Sequence, residues 1–213
     1  MNVRNFNKEM ENTISSFENR VPTLLLHSCC APCSSACLYA LVPYFNVTVL
    51  YYNPNITEVS EYEKRLEEQR RFIAKLNTGR YVGEGFDTSL PYHDISLIDG
   101  RYEPKEFFDA VKGYESCPEG GDRCFICYEL RLREAARVAD AKGFDYFATT
   151  LTLSPLKNAA KLNEIGERLS GEFEATYLVS DFKKKDGYKR SIQLSKEYDL
   201  YRQDFCGCVF SRR

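Results

Sequence analysis

Histidine is scarce in this chain of 213 residues, which contains only His27 and His93. Two isolated histidines without a His-Glu-x-x-His run give no support to a histidine-ligated metal hydrolase. Long apolar runs are also missing. Nothing approaches the roughly 20 residues that cross a bilayer, and no uninterrupted apolar stretch near the start reads as a secretory signal. The reading is therefore cytoplasmic, with no membrane partner. Charge of one sign is not in excess either. Lys and Arg number 29 against 31 Asp and Glu, so a polyanionic partner has to be held by a local patch rather than by the whole surface. Repeats, low-complexity segments and linkers are absent as well, which argues for one domain of ordinary size.

Cysteine, by contrast, is abundant. The nine are Cys29, Cys30, Cys33, Cys37, Cys117, Cys124, Cys127, Cys206 and Cys208. Clustered thiols in a reducing compartment point to metal binding or redox chemistry rather than to a disulfide scaffold.

The chain reads as alternating strands and helices. Residues 1–22 mix charges with Phe6, Met10, Ile14 and Phe17 at helical spacing, which predicts an amino-terminal helical extension ahead of a domain over 23–213. Strands are predicted at 23–27, 46–52, 144–149 and 173–179, with a further one beginning at Tyr81-Val82. Helices are predicted from Ser34 to Leu41, over 58–77 with a stop at Gly79, near 104–111, over 125–142 and over 158–169. This alternation predicts an α/β domain with a mainly parallel sheet of about five strands flanked by helices.

The cysteines fall into three groups. Cys29, Cys30, Cys33 and Cys37 follow the first strand at a strand-to-helix junction, where open α/β sheets hold ligands and a helix start favours thiolate. Cys124-Phe125-Ile126-Cys127 places two sulfurs one helical turn apart, a spacing shared by zinc sites, iron–sulfur sites and redox pairs. Cys206-Gly207-Cys208 is too tight for ordinary disulfide geometry, which suits an easily reduced relay. Cys29 and Cys30 with Cys124 and Cys127 could make four thiolate ligands from two separate junctions. A structural zinc site uses only four and leaves the rest without a purpose. Cys37 and Cys117 read as core or loop cysteines. Three readings stay open on these residues: an iron–sulfur reductase, a zinc-stapled RNA-binding protein without catalysis, and a metal-free thiol sensor.

Several longer stretches carry a resemblance. His27-Ser28-Cys29-Cys30-Ala31-Pro32-Cys33, Tyr51-Tyr52-Asn53-Pro54-Asn55-Ile56, and Arg123-Cys124-Phe125-Ile126-Cys127-Tyr128 are three of them. Others are Thr149-Thr150-Leu151-Thr152-Leu153-Ser154-Pro155-Leu156-Lys157-Asn158 and Tyr201-Arg202-Gln203-Asp204-Phe205-Cys206-Gly207-Cys208. In this order they resemble the cobalamin-independent epoxyqueuosine reductases of the QueH type. The resemblance spans nearly the whole chain after residue 22. It implies a Rossmann-like fold and a [4Fe–4S] cluster without cobalamin, with an additional iron as one reading of the remaining thiols. The implied activity is reduction of epoxyqueuosine to queuosine in the tRNA anticodon loop, with tRNA and an unidentified electron donor as partners. The implied cluster ligands are Cys29, Cys30, Cys124 and Cys127, with Cys206 and Cys208 as a redox pair or as ligands of the extra iron. Some relatives carry Asp in place of Cys33, which is a candidate metal ligand here.

Ser28-Cys29-Cys30 also stands where ATP-using tRNA thiolation enzymes of similar architecture have Ser-Gly-Gly, so ATP use is not predicted. Lys183, Lys184, Lys185, Lys189 and Arg190 with Tyr188 form a local basic stretch suited to RNA phosphates and a stacked base; a solvated charged loop is the plainer reading. Lys157 opens a helix at a strand end, where an anion can bind. Tyr51, Tyr52 and Asn53 are candidates for either a substrate pocket or core packing. His27 is read either as a hydrogen-bond donor behind the cysteines or as a structural histidine.

Overall fold

Leu24, Leu25 and Leu26 form an unbroken apolar run, the signature of a strand buried on both faces. They lie in β1 (Thr23–His27), the middle strand of the sheet. The computed structural model describes residues 4–18, 20–79 and 92–211. It continues with α2 (Ala31–Leu41), β2 (Asn46–Tyr51), α3 (Val59–Asn77), β3 (Ser96–Asp99) and α4 (Pro104–Ala110). Then follow α5 (Asp122–Ala141), β4 (Tyr146–Thr149), a 3₁₀ turn (Thr150–Leu153), α6 (Ala159–Ser170), β5 (Thr176–Tyr177) and α7 (Gly187–Glu197). Ahead of β1 lies α1 (Phe6–Ser15).

The five strands among the described residues are all parallel, in the order β3-β2-β1-β4-β5. The α/β reading with a parallel sheet of five strands therefore holds. The strand predicted from Tyr81-Val82 lies outside the described residues, and the third strand is Ser96–Asp99 instead. The strand read over 173–179 shrinks to Thr176–Tyr177.

Successive side chains of β1 feed two cores, as the period of a strand demands. Leu24 and Leu26 pack with Leu38, Phe72 and Leu194, and Leu25 packs with Leu132, Ala136 and Leu162. The amphipathic pattern of the first residues is realised in α1, which buries Met10 in the first of these cores. Sequence order runs outward from β1 through β2 to β3, then jumps back across the sheet to β4. The crevice between the carboxyl ends of β1 and β4 is the switch point at which such sheets bind ligands.

α6 lies so close to β5 that a Cβ on Gly166 would come within 2.4 Å of the Tyr177 ring. Gly166→Ala is expected to cost about 1–3 kcal/mol through overpacking, read as a lower thermal midpoint. An unchanged midpoint would mean that the two elements are not in contact. Among the described residues, no helix is long and apolar enough to cross a membrane.

Candidate metal and substrate site

The first turn of α2 is built around sulfur. Pro32 fits the opening turn because its missing N–H would be unpaired there anyway. Cys30 takes the capping position usually held by Ser, Thr, Asp or Asn, its Sγ accepting from the Cys33 backbone N–H at 3.4 Å. The turn before it is fixed from behind. Asn53 donates to the Ser28 carbonyl at 2.8 Å, and Ser28 and Ser34 both donate to Gln69 Oε1, at 2.8 and 3.0 Å. His27 is fully buried, with Nε2 3.0 Å from the Tyr52 carbonyl and Nδ1 3.0 Å from Thr149 Oγ1. A carbonyl can only accept, so Nε2 carries the proton and Thr149 donates to Nδ1. Burial and the charge of Arg131 push the imidazole down to about 4. It is a neutral hydrogen-bonded strut joining β1, β2 and β4.

Cys29, Cys30 and Cys33 form a compact triad, all three sulfurs within 4.8 Å of one another. The Cys29–Cys30 separation is 3.8 Å, and thiolates bonded at about 2.3 Å to one tetrahedral ion lie roughly 3.8 Å apart. Hydrogen bonds from the Cys30 and Cys33 thiols hold Cys29 well below the ordinary thiol range, with the charges of Lys157 and Arg131 assisting. Burial pushes Cys30 up to about 12. The thiolate of the triad therefore sits on Cys29. Gln203 donates to Cys30 Sγ at 2.8 Å from the segment that follows α7.

The other predicted ligands meet on the adjoining wall. Cys124, at the start of α5, accepts from the Gly120 N–H at 3.2 Å. Cys127, one turn on, shares a small buried cluster with Cys208, Phe107 and Val111, and burial raises both of these thiols, Cys127 to about 12. Cys124, Cys127, Cys206 and Cys208 together line a cavity of about 20 Å³. Cys29, Cys33 and Cys206 line a much larger one of about 720 Å³. Cys206, Arg131 and Lys157 border both. The structure thus groups Cys33 with Cys29 and Cys30, and brings the pair 206/208 to the pair 124/127. Cys37 stands apart in the core, its Sγ donating to the Cys33 carbonyl at 3.3 Å.

The Cys206-Gly207-Cys208 loop is pinned from several sides. Arg65 donates to the carbonyls of Phe205 and Cys206, each at 3.3 Å, and pairs with Glu61 at 2.6 Å. Thr57 N–H donates to the Gly207 carbonyl at 3.3 Å. Gly207 has φ +97°, and a Cβ there would come within 2.8 Å of Ile56, so only glycine fits.

The basic stretch is less free than its sequence reads. Lys183 pairs with Asp181 at 2.8 Å, Lys185 with Glu11, and Arg190 with Glu197 at 3.4 Å. Lys184 and Lys189 are exposed and form no ion pair with a described residue. Tyr188 is 39 % exposed and lines the larger cavity beside Lys157. Lys157 itself turns toward the thiols, Nζ lying 3.6 Å from Cys206 Sγ. Its neighbour Asn158 is an ordinary helix cap, accepting from the Lys161 N–H at 3.0 Å. Tyr51 and Tyr52 are fully buried core residues and line neither cavity.

Three site residues escaped the sequence reading: Arg65, Arg131 and Gln203. For the two arginines a signal existed, since each sits on the apolar stripe of its helix, Arg65 beside Tyr62, Leu66 and Gln69, and Arg131 beside Tyr128, Leu132 and Ala135.

Sheet order and site geometry together define a Rossmann-like α/β protein with a thiol-lined ligand site at its switch point. Residues 24–213 match the family model described as epoxyqueuosine reductase QueH. The chain belongs to the epoxyqueuosine reductase QueH family. It is 40 % identical to the epoxyqueuosine reductase QueH of Staphylococcus epidermidis, over 97 % of this chain and 84 % of that one. The Streptococcus pyogenes QueH is 37 % identical over 98 % of this chain and 78 % of its own length, and the Thermotoga maritima QueH 34 % over 89 % and 90 %. Among solved structures, a U34-tRNA thiolase of Methanococcus maripaludis, NcsA, described with its [4Fe–4S] cluster, superposes with a TM-score of 0.53 at 12 % identity. It covers 98 % of this chain and 67 % of the thiolase, a likeness of fold alone.

Proposed function

We propose that this chain reduces epoxyqueuosine in tRNA to queuosine with an iron–sulfur group held by its cysteines, without cobalamin. The observation that carries the reading is the convergence of six thiols from three parts of the chain on two adjoining cavities, with Cys30 packed directly behind Cys29 and Cys33, in a chain of this family. In the balanced reaction the epoxide takes up two electrons and two protons, both carbon–oxygen bonds break, a carbon–carbon double bond forms, and oxygen leaves as water. The donor set fits such a group, since it consists of thiols faced by a buried guanidinium whose Nη1 has no partner. When bound, a cluster supplies electrons singly, and an iron with an open position polarises an oxygen as a Lewis acid.

Cys29, Cys30, Cys124 and Cys127 are the proposed ligands of a [4Fe–4S] cluster. Cys33 and the pair Cys206 and Cys208 are proposed for an additional iron or, for the pair alone, a dithiol relay. The compactness of the Cys29–Cys30–Cys33 triad favours Cys33 as a ligand. The larger cavity takes the extruded nucleoside, with Tyr188 and the exposed Leu156 at its rim to receive a base. Lys157 and Arg131 carry positive charge to the wall where the departing oxygen becomes negative. An external reductant supplies the electrons, and the reaction belongs to the cytoplasm. Residues 1–22 extend a reductase domain of residues 23–213.

The test is anaerobic purification with iron and acid-labile sulfide analysis. Reaction with epoxyqueuosine-containing tRNA and dithionite follows, with queuosine measured by mass spectrometry. Iron, sulfide and queuosine are expected together; a colourless protein with one zinc and no turnover would replace this reading with a zinc-stapled RNA binder.

The partnered state of Lys183, Lys185 and Arg190 sharpens the RNA prediction. Lys184→Gln with Lys189→Gln should lower the slope of log affinity against log salt by about 1–2, as the loss of one or two phosphate contacts requires. Lys183→Gln with Lys185→Gln should change it less. An unaltered slope in the first pair would remove the patch from the interface.

A further inference from the structure

Three arginines are buried among the described residues, and two of them are fully engaged. Arg65 has Glu61 and two carbonyls, and Arg123 donates to the carbonyls of Glu115, Cys117 and Phe210. Arg131 is different. It is 1 % exposed, its Nε donates to the Cys127 carbonyl at 3.2 Å, and its Nη1 is buried without any partner. No described carboxylate pairs with it. An isolated buried cation is among the costliest features a fold can carry, so its retention points to a negative group that completes it.

The surroundings say which kind of group. Arg131 borders both cavities, with Cys29 and Cys206 on the larger and Cys124, Cys127, Cys206 and Cys208 on the smaller. It also lies one helical turn from Cys127 on α5, so its backbone and its guanidinium are tied to one of the proposed ligands. Lys157 adds a second positive charge, but it is only partly buried and already contacts Cys206.

We infer that Arg131 is the fixed counter-charge of the thiolate-bound centre, a positioning residue whose unpartnered N–H favours the more negative, reduced state of that centre. The inference rests on the iron–sulfur reading above. A cation held beside a redox centre in a water-poor cavity stabilises the state with the extra electron, because little solvent screens the charge. The role is carried by charge, and Arg131 need not touch the substrate to perform it.

The experiment is an anaerobic redox titration of the purified holoprotein, followed by visible absorbance and electron paramagnetic resonance. It compares the parent with Arg131→Gln, Arg131→Met, Arg131→Lys and, as a surface control on the same helix, Arg133→Gln. In the two neutral variants the equilibrium constant for one-electron reduction should fall at least tenfold, a midpoint about 59 mV lower. Arg131→Lys should recover most of the shift, and Arg133→Gln should match the parent. If Arg131→Met fails to fold, Arg131→Gln decides. Neutral variants within threefold of the parent would overturn the inference, as would an equal shift in Arg133→Gln. Loss of iron from all three Arg131 variants would overturn it in favour of a purely structural arginine. A parent without any iron–sulfur signal would instead sink the cofactor reading itself, and is told apart by iron and sulfide analysis of the parent alone.

Discussion

Replacing Cys29 with alanine should strip the iron–sulfur absorbance from the protein and lower turnover by more than 100-fold. Losses of 10–100-fold are typical when only an outer partner of a metal site is removed, and Cys29 is proposed as a ligand. It is the member of the triad held as thiolate by the Cys30 and Cys33 thiols, with the charges of Lys157 and Arg131 behind them. It is also placed 3.9 Å from Thr150 Oγ1 in the turn that follows β4, so it spans the two sides of the crevice. Alanine removes both the charge and the anchor without disturbing β1. Cys37→Ala is the matched control, since that sulfur only donates to the Cys33 carbonyl inside α2. It should retain iron and activity. A colourless Cys29→Ala protein with parental turnover would end the proposed ligand set.

The second large effect is expected at Arg65. Arg65→Met removes one partner of a buried ion pair whose other member, Glu61, is only 12 % exposed, a change that typically costs 3–5 kcal/mol. It also removes the Arg65 hydrogen bonds to the carbonyls of Phe205 and Cys206 and the contact with the Phe205 ring, which lies 5.1 Å from the guanidinium. Arg65→Lys keeps the charge but not the fork that reaches three acceptors at once, so it should lose less stability and still release the loop. Denaturant unfolding measures the first effect. The second appears in Arg65→Lys as a turnover loss of about tenfold or more with iron retained, the size of loss that follows when an outer contact of a site is removed. Parental stability in Arg65→Met would show that the loop is held by other contacts.

Much of the sheet is legible in the sequence because its inner strands are largely buried and carry apolar or β-branched runs at 24–26, 47–52 and 146–149. The edges are not. β3 is Ser96–Asp99, four residues with partly exposed side chains, and β5 keeps only two residues of hydrogen-bonded pairing. The start of α2 is displaced from Ser34 to Ala31 because a cysteine sulfur does the capping, a role sequence rules assign to hydroxyls and carboxamides. At the site, the three cysteine groups are visible as spacing along the chain. Which groups face each other is not, because that depends on where the segment after α7 returns to the sheet. The same limit explains Gln203, which meets Cys30 across 173 residues. Arg65 and Arg131 were concealed by company, being charged residues in helices already rich in charge. Lys157, read as the opening of a helix where an anion can bind, turns its Nζ toward the Cys206 thiol.

The strap that carries Gln203, Cys206 and Cys208 has a consequence for the birth of the protein. During synthesis β1, α2 and α5 leave the ribosome well before residues 203–208, so the growing chain passes through a stage in which the sulfur cradle lacks one wall. Contacts such as Asn55 to Cys206, 151 positions apart, close last and slowly, as distant pairings do. A prosthetic group delivered during that interval would meet an open groove, whereas one delivered after closure must pass through the mouth of the larger cavity.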